Sequence, residues 1–260
     1  MMDGPAKRAD WNAGVDSASS RARQAVVALL LSAVTHAAGA CVSVWRAGVL
    51  SRLDDSNRGS LHATVVRGDD IGQTLAVVEI GMLILTLILF LRWLHKTIAA
   101  ASTMGKAPLA WTPGQAVGTF FIPIVNLYRP YTILRDLNIH LAADGVPEPA
   151  PRARQDGLTG YREAAVEHAP PPRELPNGAI AAWWATYMLT NLSARGFGST
   201  EPRTAEAFVT MLNRETATHV LMLVCALLGV TVVRAITARL VERNRRLGWS
   251  SDEELASLGL

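Results

Sequence analysis

The chain has 260 residues, of which 50% are hydrophobic and only 18% are charged, and its formal net charge is +3. This composition excludes a wholly disordered chain, and the two cysteines, Cys41 and Cys225, are too few for a disulfide framework. Four stretches of about 20 residues carry almost no charge, which is the pattern of a multi-pass membrane protein. The basic residues flank these stretches without interleaved aromatics, so we expect no nucleic-acid partner.

The N-terminal part of the chain predicts a disordered arm and a first membrane span. Residues 1–20 show no apolar periodicity, and we expect them to form a disordered cytoplasmic arm. Residues 24–45 are uncharged, and a helix of that length reaches about 33 Å, enough to cross a bilayer. An alternative is a cleaved lipoprotein signal, because Ala38, Gly39 and Ala40 precede Cys41.

The second predicted span, residues 71–91, leads into an unusual uncharged segment, residues 107–128. Proline and glycine interrupt that segment, so we predict an interfacial or re-entrant element on the cytoplasmic face, with a fifth span as the alternative. We predict a helix from Thr112, as N-cap, to about Phe121, which Pro123 ends. A second, amphipathic helix is predicted to follow from Pro130 and to lie among the lipid headgroups, with the apolar residues Ile133, Leu134, Leu137 and Leu141 on one face. Residues 109–141 are called the platform below.

The remainder of the chain predicts a linker, two further spans and a tail. Residues 142–174 are rich in proline and are predicted to be a cytoplasmic linker, with a short helix at 161–168. Residues 175–194 and 216–233 are the third and fourth predicted spans, and 175–194 is the least apolar of the four. Residues 247–260 are a predicted cytoplasmic tail, in which Ser251 and Glu254 form the pattern of a helix-opening capping box.

The distribution of basic residues predicts the orientation. Lys and Arg near the predicted span ends number 14 on the side that holds both termini and seven on the other side. The more basic side is expected in the cytoplasm. The predicted fold is therefore all-α: an integral membrane four-helix bundle of the cytoplasmic (inner) membrane, with transmembrane helices 1 and 2 and the platform within 21–141, helices 3 and 4 within 175–246, and both termini cytoplasmic.

Three segments carry a family resemblance: residues 90–96 (FLRWLHK), residues 111–131 with their Pro-Gly and Asn-Leu-x-x-Pro-Tyr elements, and the pair Trp183 and Trp184. Together they resemble an uncharacterised bacterial multi-pass membrane family, domain of unknown function 4328, over roughly residues 70 to 245. The resemblance implies a multi-pass membrane protein and implies no activity.

Glu79 is the first candidate for function, because a carboxylate inside an apolar span costs about 2.5 to 3.5 kcal/mol even on insertion scales. It must be paired, protonated or in contact with water. His36 and His219 are the candidate partners, and with Glu79 they form a candidate intramembrane polar site for a proton or cation relay. The alternative is a neutral Glu79 that hydrogen-bonds a neighbouring helix and has a purely structural role.

The platform supplies a second candidate site, for contact with lipid or a partner protein. Its residues are Trp111, Pro113, Gly114, Asn126, Arg129, Pro130 and Tyr131. An arginine beside a helix start favours a lipid phosphate, whereas the structural alternative is an Asn126 that caps a turn and a Tyr131 anchored at the interface. Trp93, Trp111, Trp183 and Trp184 are predicted to be membrane-interface aromatics.

The absence of enzyme motifs favours a non-enzymatic protein without excluding an intramembrane enzyme. Cysteine pairs with metal-ligand spacing are also absent, and we predict no metal and no cofactor. Small residues recur every four positions on the first span, as Ala33, Ala37 and Cys41 and as Thr35, Gly39 and Ser43, and favour close packing within a protomer, in a homo-oligomer or with a membrane partner. We expect a scaffold or sensor whose platform contacts anionic lipid headgroups or a partner; the alternative is a small transporter or a proton- or cation-conducting protein that uses Glu79.

Overall fold

The computed structural model describes residues 4–52, 58–104, 109–142, 177–195 and 204–257, and these residues are almost entirely helical. No strand occurs among them, which confirms the predicted all-α class. The elements are α1 (Gly4–Leu50), α2 (Arg58–Thr103), α3 (Pro113–Gly118), a 3-10 turn (Thr119–Phe121), α4 (Pro123–Asn126), α5 (Arg129–Ala142), α6 (Asn177–Arg195) and α7 (Ala205–Ser257). The predicted linker, 142–174, lies outside the described residues apart from Ala142.

Among the described residues, three helices are long and apolar enough to cross a membrane, in the ranges Arg8–Leu50, His62–Thr103 and Ala205–Leu247. They contain the first, second and fourth predicted spans. The third predicted span corresponds to α6, which is not among these three, so the fourth crossing stays a prediction. Many side chains exposed on these helices are large and apolar, including Val34, Val77 and Ile80, which are 67%, 71% and 60% exposed. Such a surface suits lipid and not water.

The prediction of a disordered N-terminal arm was wrong for residues 4–20, because α1 begins at Gly4. Val15 and Ala18 are buried, and the indole Nε1 of Trp11 donates a hydrogen bond to the carbonyl of Thr103 over 3.0 Å. Gly14 lies against Ala100, where an added Cβ would meet the alanine Cβ at 3.5 Å. Packing against the end of α2 therefore stabilises a segment whose own apolar pattern is weak.

The C-terminal part of α7 also differs from the sequence expectation. The pair Ser251 and Glu254 predicted a new helix start, whereas α7 continues without a break from Ala205 to Ser257. Ser251 is thus inside a helix and is not an N-cap. Serine is tolerated in helix interiors, and a capping-box pattern acts only where the backbone turns to enter a helix.

The platform is built from short helical pieces. Thr112 caps α3 with a complete capping box. The backbone N–H of Gln115 donates a hydrogen bond to the Thr112 hydroxyl, and the backbone N–H of Thr112 donates one to the side-chain oxygen of Gln115. Extended backbone at Ile122 separates the 3-10 turn from α4, which Pro123 opens. None of the pieces between residues 109 and 128 is long enough to cross a bilayer as a helix.

The chain divides into two compact units. The bundle unit comprises Arg21–Trp93 and Asn177–Arg234. The platform unit comprises Met1–Ser20, Leu94–Pro176 and Ala235–Leu260, and thus contains the platform together with parts of the three long helices.

Within the bundle unit, α1 and α2 run antiparallel in one register. Arg46 contacts Asp69, His36 contacts Glu79, and the Thr86 hydroxyl donates to the carbonyl of Ala28. The residue numbers of each pair add to nearly the same value, as a single antiparallel register requires. This register brings the polar residues of α1 and α2 to matching levels.

Candidate functional site

Three polar side chains meet in the bundle unit, each supplied by a different long helix. His36 lies on α1, Glu79 on α2 and His219 on α7. Their side chains are 12%, 17% and 10% exposed. The sequence analysis selected these residues because they are polar within apolar spans, and the structure brings all three together. We call them the His-Glu-His cluster.

Glu79 Oε1 is the atom that the two histidines share. It lies 3.6 Å from Nδ1 of His36 and 3.3 Å from Nδ1 of His219, and the two imidazole centroids are 5.8 Å apart. Glu79 Oε1 and His36 Nδ1 are buried without a hydrogen-bond partner. Burial of such atoms without partners costs free energy, so a proton or cation placed between them would be stabilising.

Gly39 makes room for the cluster. A Cβ at this position would lie 2.6 Å from Glu79 Oε1 and 2.6 Å from His219 Cε1, closer than unbonded atoms approach. Glycine therefore allows α1 to come close to both side chains. Of the two small-residue stripes on α1, the one with Gly39 and Ser43 is buried at those positions, whereas Cys41 of the other is exposed.

A group of charged residues continues from the cluster towards one end of the bundle unit. Glu215 Oε1 lies 3.9 Å from Nε2 of His219, and Glu215 Oε2 lies 3.9 Å from Nη1 of Arg46. Arg46 Nη2 lies 2.5 Å from Asp69 Oδ1. The side chains of Glu215 and Asp69 are 42% and 44% exposed, so this end of the group meets solvent.

Sequence reasoning missed Arg46, Asp69 and Glu215 as parts of the site, because each resembled an ordinary charge at the end of an apolar span. No spacing signal relates residues on three helices that are far apart in sequence. The same reason explains why no metal ligands were predicted. In the part of the chain that the structure describes, the ligand atoms of His36, Glu79 and His219 all lie within 4.8 Å of one another.

An aromatic cluster lies in the same unit. Phe90 lies 5.2 Å from Trp93 and 5.5 Å from Trp183, measured between ring centroids. Trp184 and Tyr187 are 5.0 Å apart. The prediction that the tryptophans are interface aromatics was wrong for Trp93, Trp183 and Trp184, which are 0%, 7% and 7% exposed. Packing of the helices buries these rings in protein, where they contact other aromatic rings.

The platform brings together only part of the second candidate set. The Arg129 guanidinium lies over the Trp111 ring, 4.5 Å from its centroid. Tyr131 instead faces Arg135, whose guanidinium is 5.9 Å from the tyrosine ring. Gly114 is exposed with open space around it, and Pro130 is buried.

Pro113 begins α3. Two other residues of the set, Asn126 and Trp111, each have a buried side-chain atom without a hydrogen-bond partner: Oδ1 of Asn126 and Nε1 of Trp111. The sequence analysis assigned Asn126 to a turn, and it lies at the end of α4, one residue before the turn at Leu127. The side-chain oxygen of Asn126 makes no capping hydrogen bond, so only the backbone of Asn126 contributes to the turn.

The apolar face of α5, a helix predicted to lie among the lipid headgroups, packs against protein. Ile133, Leu134 and Leu137 are at most 1% exposed, and Leu141 is 6% exposed. The helix is amphipathic as predicted, but its apolar face is covered by protein. Apart from Ile139 on α5, the large exposed apolar side chains of the platform lie just before α5, and they are Phe121, Ile122, Ile124, Leu127 and Tyr128.

Two buried arginines of α7 hold the platform unit together. Arg239 Nη1 donates to Oδ1 of Asn138 over 2.8 Å. Arg243 donates from Nε and Nη2 to the carbonyl of Met104, over 3.4 Å each, and from Nη1 to the carbonyl of His140. A cation at the carbonyl ends of α2 and α5 is favourable because these groups carry partial negative charge. Sequence reasoning counted Arg239 and Arg243 only as cytoplasmic charges.

His140 on α5 is affected by the same arrangement. Burial, together with the charge of Arg243, lowers the pKa of His140 below its usual value of 6.5, because both disfavour the imidazolium form. The neutral imidazole is therefore the form that fits the folded platform unit.

Comparison with known proteins identifies a family. No curated protein and no solved structure matches the chain. The family model described as "Domain of unknown function (DUF4328)" matches residues 57–238, which include α2, the platform, α6 and most of α7. The matched region covers well over half of the sequence and includes the segments that carried the resemblance. The chain therefore belongs to the family of domain of unknown function DUF4328.

Proposed function

We propose that this protein is a small membrane transporter or conducting protein for protons or cations, with the His-Glu-His cluster as its site. The observation that carries the proposal is the convergence of His36, Glu79 and His219 around buried atoms that have no hydrogen-bond partner. A protein that needed Glu79 only for helix packing would hydrogen-bond its carboxylate fully.

The charged group supports a route from solvent to the cluster. A proton taken up by the exposed Glu215 can pass to His219, because Nε2 of that ring faces Glu215 and Nδ1 faces Glu79. Imidazole can accept a proton on one nitrogen and release it from the other. Arg46 does not relay protons, since a guanidinium stays charged, but its contacts hold Glu215 and Asp69 at the entrance.

The aromatic cluster supports a gate on the other side of this route. The rings of Phe90, Trp93 and Trp183 form a buried apolar layer in the bundle unit. A charged species does not cross such a layer without rearrangement, so passage requires the helices to move there. By the distribution of basic residues, Glu215 faces the outside and the aromatic layer faces the cytoplasm.

The test is a flux measurement in proteoliposomes. We expect the wild-type protein to carry protons or metal cations down a gradient and Glu79→Gln to abolish that flux. Asp70→Asn is the matched control, because it also removes a carboxylate from α2, at an exposed position. Absence of flux in the wild type, or equal flux in Glu79→Gln, would contradict the proposal.

The second candidate function is a scaffold or sensor whose platform contacts lipid or a partner. The supporting observation is the exposed apolar group around α4, in which Ile124 is 83% exposed and Phe121 is 65% exposed. A fluorophore at residue 124, introduced as Ile124→Cys in a Cys41→Ser background, is expected to be quenched by brominated lipids. The same label at Ile139, on α5, is the comparison. Equal quenching at both positions would count against this candidate.

A further inference from the structure

We propose that His36 Nδ1, Glu79 Oε1 and His219 Nδ1 together bind one divalent transition-metal ion, for which Zn²⁺ has the best-matched geometry. This site specifies which cation the proposed function involves, and it rests on the proposed function only in the assumption that the bound ion is transported. Binding itself can be tested independently.

Both distances from the carboxylate to the imidazoles match the ligand spacing of a tetrahedral site. Zn²⁺ bonds imidazole nitrogen and carboxylate oxygen at about 2.0 to 2.2 Å, so two ligand atoms of one tetrahedral ion lie about 3.3 to 3.5 Å apart. The distances from Glu79 Oε1 are 3.6 Å to His36 Nδ1 and 3.3 Å to His219 Nδ1. All three donor atoms lie within 4.8 Å of one another, so movements of the side chains alone can bring them around one ion.

The donor types select the class of metal. Two imidazoles and one carboxylate suit Zn²⁺ and its first-row neighbours, whereas Ca²⁺ and Mg²⁺ prefer sites made of oxygen atoms. Three protein ligands leave a fourth tetrahedral position for water or for exchange of the ion. A site with an open position fits an ion that must enter and leave.

Glu215 completes the environment of the site. A metal-bound histidine usually directs its other ring nitrogen to a carboxylate, which fixes the tautomer and the ring orientation. When Nδ1 of His219 binds the metal, Nε2 carries the proton and faces Glu215 Oε1 at 3.9 Å. Arg46 holds Glu215 from its other oxygen, so the orienting carboxylate is itself positioned.

The unpartnered atoms are the second, independent indication of a ligand. Buried His36 Nδ1 and Glu79 Oε1 leave a space between them, because they lie 3.6 Å apart and neither has a hydrogen-bond partner. Gly39 keeps that space free of side-chain atoms, since a Cβ there would lie 2.6 Å from Glu79 Oε1. A purely structural ion pair would gain by closing this gap.

The experiment uses the full-length chain, purified in detergent, stripped with a chelator and dialysed against Zn²⁺ or Co²⁺. We expect one Zn²⁺ per chain by elemental analysis, and the intense visible absorption of tetrahedral Co²⁺. His36→Gln, Glu79→Gln and His219→Gln should each weaken Zn²⁺ binding by at least about 100-fold, and Glu215→Gln by about 10- to 100-fold. His62→Gln and His95→Gln, at exposed positions, are the matched controls and should bind like the wild type.

A wild-type protein that binds less than one Zn²⁺ and gives no tetrahedral Co²⁺ spectrum overturns the metal site, whatever the variants do. Equal loss of binding in the control variants also overturns it. Proton flux that depends on Glu79 without Zn²⁺ binding would leave the proposed function standing and remove the metal. Zn²⁺ binding without any flux would leave the metal site standing and remove transport.

Discussion

At the scale of single residues, Gly39 controls whether the His-Glu-His cluster can form. An alanine there would bring its Cβ within 2.6 Å of both Glu79 Oε1 and His219 Cε1. Because the displaced atoms belong to side chains, we expect Gly39→Ala to fold with a loss of about 1 kcal/mol in the free energy of unfolding. The same variant should lose Zn²⁺ affinity, which dialysis and elemental analysis would measure.

The control for that variant is Gly48→Ala on the same helix, where an added Cβ meets nothing within 4 Å. Alanine is the better helix former by about 1 kcal/mol, so Gly48→Ala should stabilise the protein slightly and keep Zn²⁺ affinity. The assignment of Gly39 to the site would be wrong if both variants behaved alike.

His140 gives the platform unit a pH-dependent stability. Its pKa is lowered in the folded protein, so as the pH falls below about 6.5 the unfolded chain takes up this proton more readily than the folded chain does. The free energy of unfolding should therefore fall as the pH decreases below about 6.5. His140→Gln should reduce this slope in denaturant unfolding experiments, and an unchanged slope would contradict the explanation.

At the scale of elements, α5 shows which face of an amphipathic helix is in contact with protein. Leu134 is fully buried, whereas Ile139 on the same helix is 49% exposed. We expect Leu134→Ala to lower the free energy of unfolding by about 2 to 5 kcal/mol, because it leaves a cavity. Ile139→Ala should change it by no more than about 0.5 kcal/mol. If a denaturant titration showed a larger loss of stability for Ile139→Ala than for Leu134→Ala, the assignment of the Leu134 face to contact with protein would be wrong.

At the scale of the whole molecule, the number of crossings depends on α6. Trp183, near its start, packs against Phe90, whereas Glu215, near the start of α7, lies beside Arg46. Phe90 and the Asp69 partner of Arg46 are well separated along α2, and only nine residues connect α6 to α7. This separation favours an α6 that traverses the bundle unit, as a fourth crossing requires.

Four crossings place both termini on one side of the membrane. We therefore expect reporter fusions at residue 1 and residue 260 both to give the cytoplasmic signal. A fusion between residues 196 and 203, in the connection from α6 to α7, should give the opposite signal. Termini on opposite sides would mean that α6 does not cross.

Much of this protein was predictable from its sequence because local physical chemistry determined it. Uncharged stretches of span length predicted four spans, and three of them lie in helices that are long and apolar enough for a membrane. Thr112 and Pro113 predicted the start of α3, and the spacing of Ile133, Leu134 and Leu137 predicted one apolar face on α5. The cost of a carboxylate in an apolar span singled out Glu79, and the same reasoning singled out its two histidine partners.

Tertiary packing decided the rest, since it depends on contacts between residues far apart in sequence. Only the register of α1 with α2 and the position of α7 bring Arg46, Asp69 and Glu215 to the His-Glu-His cluster. Only packing orders residues 4–20, buries the tryptophans of α6 and turns Arg243 towards helix ends instead of headgroups. The sequence by itself determined which segments are apolar helices, because that follows from each segment's own composition. The tertiary structure alone decided what those helices present to one another.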